Sequence, residues 1–261
     1  MGRTIAIVQA RLGSTRLPGK ILLPLAAQTV LSHVLERCAA VPRIDKVCCA
    51  TTTLEEDNVV AEEAARCGAL IYRGSSEDVL ARYAGAARAA DADIVLRVTS
   101  DCPAIDPAIC DSVLDLRAQT DAGYAANNMP GSWPHGLDCE AFTRDALQAA
   151  DSHASQAFER EHVTPWMRQK EGLARVNLAA PPGLSGEKRW TLDFPADYDF
   201  FEALFCHLPR GPKGYSMAAV LEILAAHPEI EKLNSAHHGA TKSAQFGALR
   251  ERPTVRSDKH V

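Results

Sequence analysis

Thr4-Ile5-Ala6-Ile7-Val8, followed by Gln9-Ala10-Arg11-Leu12-Gly13-Ser14-Thr15-Arg16-Leu17-Pro18-Gly19-Lys20, decides how this chain is read. The first five residues are apolar and rich in β-branched side chains, so they read as a buried strand. Beyond Ile21-Leu22-Leu23-Pro24, a helical pattern runs from about Thr29 to Cys38. A strand therefore empties into a loop holding two glycines, Ser14, Thr15, Arg11, Arg16 and Lys20 before the first helix begins. Binding a polyphosphate needs that combination. Glycines let backbone N–H groups approach the oxygens, and Arg and Lys neutralise them. A solvated basic turn is the competing reading, but few turns need so much charge and so little bulk together. The loop is neither of two standard phosphate motifs. A Walker loop reads Gly-x-x-x-x-Gly-Lys-Ser/Thr, whereas five residues separate Gly13 from Gly19 and Ile21 follows Lys20. A dinucleotide fingerprint, Gly-x-Gly-x-x-Gly, is absent.

Downstream, strand and helix patterns alternate. Strands are expected at Asp45–Ala50, Ala69–Tyr72 and Asp93–Val98. The helix from about Glu55 to Arg66 ends at Gly68, and another, capped by Ser76, runs through Ala90. This alternation predicts an α/β fold with a mixed, mostly parallel sheet flanked by helices. In such sheets ligands bind outside the carboxyl ends of the strands. The loops after the first, third and fourth expected strands should therefore meet. They bring together Gln9, Ala10, Arg11, Gly13, Ser14, Arg16 and Lys20 from the first, Arg73 from the next, and Thr99 and Asp101 from the last. In Thr99-Ser100-Asp101-Cys102-Pro103, Asp101 ends a strand and can hold a cation or cap the helix near Pro107, although Asp106 is better placed to cap.

At 261 residues the chain can bury a full core. A net charge of −5 argues against nonspecific nucleic-acid binding, which favours a basic surface. No apolar run is long enough to span a membrane, and no signal-peptide pattern opens the chain. Eight cysteines include no Cys-x-x-Cys pair, so a zinc site is not expected and the thiols read as reduced in the cytoplasm.

The stretch Gln9 to Lys20 resembles the opening of the spore-coat-polysaccharide type of cytidylyltransferase, a relative of the 3-deoxy-manno-octulosonate cytidylyltransferases. Further stretches extend the likeness across roughly residues 4 to 234. Ser100-Asp101-Cys102-Pro103 is similar to a Gly-Asp-Cys-Pro segment whose Asp binds magnesium, with Ser100 in place of Gly. His135-Gly136-Leu137-Asp138-Cys139-Glu140 resembles an Asp-Gly-Leu-Asp-Val-Glu segment lining the acceptor pocket, with His135 in place of Asp. Arg160-Glu161-His162-Val163-Thr164-Pro165 looks like a motif with a substrate-pocket or subunit-contact role. Trp190-Thr191-Leu192-Asp193 resembles a strand end whose Asp is the second metal ligand; Asp197 reads as a first-turn helix charge.

The resemblance implies the nucleotide-diphospho-sugar transferase fold, a Rossmann-like sheet. It also implies transfer of CMP from CTP to a small anionic acceptor, a Mg2+ ion on Asp101 and Asp193, and a homodimer. Arg11, Lys20 and Asp101 would carry the chemistry, and His135, Asp138, Arg160 and Arg189 would meet the acceptor. Residues 1–234 are expected to form the catalytic domain, with an inserted acceptor-binding or dimerisation segment at about 121–180, and 235–261 a polar tail. Two other readings remain. A glycosyltransferase would consume a nucleotide-sugar, but the nearest Asp-x-Asp, Asp91-Ala92-Asp93, precedes a strand. A non-enzymatic nucleotide sensor would bind CTP without releasing pyrophosphate.

Overall fold

The computed structural model describes residues 2–182, 184, 187–209, 211 and 214–238. Strand β1 (Thr4–Gln9) leads into the glycine-containing loop and then a small antiparallel hairpin, β2 (Pro24–Leu25) and β3 (Gln28–Thr29). Helix α1 (Val30–Ala39), β4 (Lys46–Thr52), α2 (Asn58–Arg66), β5 (Leu70–Gly74), α3 (Val79–Ala89) and β6 (Ile94–Thr99) follow in strict alternation. Then come α4 (Pro107–Thr120), β7 (Tyr124–Ala126), β8 (Glu140–Thr143), α5 (Arg144–His153), α6 (Ala157–His162), α7 (Pro165–Gln169) and β9 (Arg175–Asn177). Helices α8 (Pro195–Phe205), α9 (Met217–Ala226) and α10 (Pro228–Lys232) close the described chain.

Among the described residues, seven strands form one sheet in the order β5-β4-β1-β6-β8-β7-β9. The first four are parallel; β8 runs against both β6 and β7, and β9 is parallel to β7. The chain leaves β1 for β4 and β5 on one side, then returns to place β6 on the other. That reversal opens a crevice at the carboxyl ends of β1 and β6, where the glycine loop sits.

Both sheet faces are covered, which explains why β1 reads as a continuous apolar run. Ala6, Val8, Leu96 and Val98 pack against Leu31, Val34 and Leu35 of α1, Val60 of α2 and Val113 of α4. Ile5, Ile7 and Val95 face the other way, against Leu80 and Tyr83 of α3, Leu147 of α5 and Met167 of α7. A third cluster, including Trp190, Phe200, Phe201, Val220 and Ile230, joins the last helices to Leu25 of the hairpin and Val30 of α1.

Several local expectations are revised. Asp78, not Ser76, caps α3, accepting from the Ala81 amide at 2.9 Å. Its carboxylate directly adjoins the first helical residue, and the neighbouring Ser75 hydroxyl accepts from the Glu77 and Asp78 amides. Asp106 caps α4 through the Ala108 amide (2.8 Å), which leaves Asp101 out of that role. Leu137-Asp138-Cys139-Glu140-Ala141-Phe142 alternates like a strand in the sequence, but the strand begins only at Glu140, because the Asn127 side chain takes up the Leu137 carbonyl and the Cys139 amide. Lys188–Asp193 is not a strand: it makes an isolated bridge at Arg189, and Leu192 spends its amide on the Asp101 carbonyl at 2.8 Å. Helix α5 lay unseen in a polar stretch and is started by Thr143, which accepts from the Ala146 amide. At the end of the chain, Asn234 is buried and donates to Asp197, and His237 stacks on Phe194 with ring centroids 4.1 Å apart. Residues 239–261, most of the expected tail, lie outside the described residues.

Gly136 shows why a glycine is needed next to His135. Its φ is +113°, and a Cβ built there would stand 1.9 Å from the Trp190 carbonyl oxygen. This close approach lets the His135 amide donate to the Lys188 carbonyl and the Trp190 amide donate to the His135 carbonyl. Gly136→Ala should therefore cost about 2–4 kcal/mol of stability in urea unfolding, since a backbone atom rather than a flexible side chain must yield. An unchanged unfolding midpoint would contradict this packing.

Candidate active site

The glycine loop is wound on itself and pinned from below. The Ser14 and Gly19 amides both donate to the Leu12 carbonyl, at 2.7 and 3.3 Å. The Ser14 hydroxyl accepts from the Leu17 amide, and Gly19 turns the chain at φ +66°. The Leu12 amide donates to Asp57 Oδ1 at 2.8 Å; Asp57 is fully buried and also accepts from the Thr52 hydroxyl. A carboxylate just ahead of α2 thus fixes the loop's height above the sheet. Above it lies a cavity of about 440 Å³, lined by Gln9, Ala10, Arg11, Gly13, Ser14, Arg16 and Lys20 together with Thr99 and Asp101. That volume suits a small-molecule ligand.

At the floor, Lys20 Nζ lies 2.9 Å from Asp101 Oδ2, 2.9 Å from Asp193 Oδ1 and 2.8 Å from the Leu192 carbonyl. Arg16 donates to the same Asp193 Oδ1 at 2.8 Å, and Arg189 donates to its Oδ2 at 3.0 Å. Burial alone would lower the Lys20 pKa, but Asp101 and Asp193 outweigh it and hold the ammonium above its ordinary value. Burial likewise pushes Asp101 up, yet the Lys20 charge and hydrogen bond prevail and hold its carboxyl well below the usual range. At neutral pH both groups are charged. Asp197, fully buried, accepts from the Asp193 and Phe194 amides, so it shapes the turn that presents Asp193. Ser100 lines the cavity without a left-handed backbone, so nothing in its conformation demands glycine.

The expected acceptor residues divide. His135 and Asp138 line the cavity, with His135 Nδ1 donating to Asp138 Oδ2 at 2.8 Å. Arg160 does not reach it: its guanidinium binds Asp78 and Asp151, tying α6 to α3 and α5. Arg189 is buried beneath the floor, paired with Asp193 and Asp197, and orients them from behind. Arg73, expected at the nucleotide, is also outside the lining. It donates to the Thr52 and Leu54 carbonyls and to Asn58, bracing the loop after β4. Asp91 and Asp93 share Arg144 at the amino end of β6, away from the cavity.

Other residues take those places. Arg82 of α3 borders the cavity beside Arg11, whose guanidinium donates to the Ser76 carbonyl at 3.3 Å. On the opposite wall are Arg97, Asn128, Glu140, His162, Thr164 and Arg168. Glu140 is buried and accepts from Arg97, Tyr124 and Arg168. Burial pushes its carboxyl up, but Arg168 and Arg97 hold it well below the usual range. Val163 has φ 70° and ψ −52°, and the Thr164 amide donates to the His162 carbonyl at 2.8 Å, a γ-turn that is strained for a β-branched residue. It lets the end of α6 and the start of α7 both face the cavity. Glu140, His162 and Thr164 fall in stretches that the family resemblance had marked, whereas for Arg97 the one signal was an arginine inside the apolar strand Ile94–Thr99.

Known proteins resemble this chain in sequence and in fold. The profile of a family described as "Cytidylyltransferase" matches residues 5–221. The spore coat polysaccharide biosynthesis protein SpsF of Bacillus subtilis is 31% identical over 238 residues, covering 88% of this chain and 97% of its own. A 3-deoxy-manno-octulosonate cytidylyltransferase of Yersinia pseudotuberculosis is 33% identical over 178 residues, 67% of this chain and 68% of its own. The structure of a cytidylyltransferase from Leptospira borgpetersenii superposes with a TM-score of 0.81 at 32% identity, covering 88% of this chain and 97% of that one.

The His135–Asp138 pair sets a pH dependence. Burial lowers the His135 pKa, but the hydrogen bond and charge of Asp138 raise it above the ordinary 6.5 overall. Protonated His135 therefore contributes stability that is complete below 6.5 and lost as pH rises through the folded value. In Asp138→Asn the ring resonances of His135 should titrate at lower pH than in the parent chain. Identical midpoints would show that the pair does not set the charge.

Proposed function

The chain belongs to the cytidylyltransferase family, nucleotidyltransferases that transfer CMP from CTP, and from this we propose that it uses magnesium, takes a small anionic acceptor and releases pyrophosphate. The observation carrying this reading is the convergence of Lys20, Asp101 and Asp193 beneath a glycine loop bearing Arg11 and Arg16.

Arg11, Arg16 and Lys20 are donors without acceptor capacity, suited to triphosphate oxygens. Arg16 and Lys20 offset the charge that builds on departing pyrophosphate. The acceptor oxyanion attacks the α-phosphorus in line: its bond to phosphorus forms as the bond to the pyrophosphate oxygen breaks. An acceptor whose anionic oxygen is itself the nucleophile needs no general base, whereas a sugar hydroxyl must give its proton to one. Arg11 and Arg82 border the β5 side of the cavity, and the nucleoside is assigned there.

Among the described residues no cluster of three or more His, Cys, Asp or Glu side chains is placed to hold a metal. Magnesium does not need one, because it keeps several waters and takes phosphate oxygens beside one or two carboxylates. Asp101 and Asp193 fit that role: an oxygen of each lies 2.9 Å from a single point, the Lys20 nitrogen, so both reach one cationic centre. When bound, the ion would neutralise phosphate charge.

All eight cysteines are unpaired, and among the described residues no helix is long and apolar enough to cross a membrane; both suit a cytoplasmic setting. The homodimer implied by the family resemblance is part of the same reading.

Lys20→Ala should lower CTP-dependent pyrophosphate release by about 10²-fold or more. Undiminished release would remove Lys20 from its assigned role. Asp101→Asn should do the same and should shift the magnesium requirement to higher concentration. An unaltered magnesium dependence would refute the assignment of Asp101.

A further inference from the structure

The wall of the cavity opposite Arg11 and Arg82 holds a donor surplus. Arg97 sits in the middle of β6, between Ile7 of β1 and Glu140 of β8 in the sheet register, and its side chain reaches toward Gln9. A guanidinium has five N–H donors and no acceptor. Arg97 Nη1 donates to Glu140 Oε2, and Nη2 reaches Gln9 Oε1 at a long 3.3 Å. Its Nε is buried and, among the described residues, has no hydrogen-bond partner. Glu140 cannot supply the difference, because its two oxygens already accept from Arg97, Tyr124 and Arg168.

The carboxylate that meets Arg97 is also shared, since Glu140 pairs with Arg168. A buried guanidinium with an unused donor is costly until a hydrogen-bond acceptor meets it. Arg97 is only 15% exposed on its side chain, so that partner must enter through the cavity. The polyphosphate has its own cradle on the glycine loop, and the nucleoside is assigned to the β5 side. Only the second substrate remains to fill this wall.

We propose that Arg97, oriented by Glu140 and flanked by Arg168, anchors an oxyanion of the acceptor and selects acidic acceptors over neutral ones. The assignment rests on the proposed transferase reading for the identity of the ligand. The oxyanion is a carboxylate or a phosphoryl group; either matches the fork of guanidinium donors.

The test measures binding to the full chain with cytidine 5′-[(α,β)-methylene]triphosphate and magnesium present, for two pairs of probes. One pair is 3-deoxy-manno-octulosonate and its methyl ester; the other is glucose 6-phosphate and glucose. The parent chain should bind the charged member of one pair more tightly than its neutral partner, and which pair responds distinguishes carboxylate from phosphoryl recognition. Arg97→Gln should weaken that charged probe by about 10- to 100-fold, leave the neutral probe within about twofold, and leave nucleotide affinity unchanged. Arg97→Lys keeps the charge beside Glu140 and should recover part of the loss. The proposal is overturned if neither charged probe binds the parent chain better than its neutral partner. It is equally overturned if Arg97→Gln weakens charged and neutral probes alike, as a merely structural role would. A chain that binds the nucleotide and releases pyrophosphate yet ignores Arg97 would lose this inference and keep the proposed function. A chain that binds no cytidine triphosphate would lose the function itself.

Discussion

Two carboxylates drawn from distant parts of the chain meet one ammonium, and the arrangement of the site follows from that convergence. Asp101 comes from the end of β6 and Asp193 from the turn before α8, while Lys20 closes the glycine loop after β1. Such a group of buried charges persists only where each finds a partner, since a lone buried charge is far more costly than a matched pair. The fold supplies the partners in layers. Arg189 holds Asp193 from below, Asp197 holds Arg189 and the Asp193 amide, and Asn234 holds Asp197. The closing helices are therefore braced against the floor of the site, which explains why a chain segment so far from the loop is packed so tightly.

The same economy separates arginines that build from arginines that bind. Arg73, Arg160 and Arg189 satisfy their guanidinium groups on backbone carbonyls and carboxylates within the protein. Arg11, Arg16, Arg82 and Arg97 face the cavity, and Arg82 and Arg97 each keep a buried Nε without a partner among the described residues. The site is thus lined on opposing walls by donors and floored by paired charges. That distribution suits a nucleotide on one side, an acidic acceptor on the other and phosphates between them.

The central strand, the loop and the parallel half of the sheet were legible in the sequence because their causes are local. A buried parallel strand needs an apolar run, and a phosphate-binding loop needs small residues and positive charge. Asp101 was legible for a related reason, as it follows a buried strand at a chain reversal, and Asp193 through its likeness to a family segment. Yet the stretch before Asp193 was misread as a strand, because it shares that pattern while spending its backbone on the Asp101 loop. Whether an arginine faces a ligand or a neighbouring carboxylate depends on contacts across many residues of separation. Arg160 meets Asp78, and Arg97 meets Glu140, through pairings that no spacing rule foretells. The positive φ at Val163, which turns His162 and Thr164 toward the cavity, is equally a product of tertiary packing.

The most direct test of the account is to incubate the full chain and magnesium with each of the four nucleoside triphosphates in turn, with and without a mixture of sugar acids, sugar phosphates and phosphonates, and to identify the products by mass. The account predicts pyrophosphate together with a CMP conjugate of an anionic acceptor, formed from CTP and only when acceptor is present. Conjugates formed equally from all four nucleotides, or tight CTP binding with no conjugate from any acceptor, would contradict it.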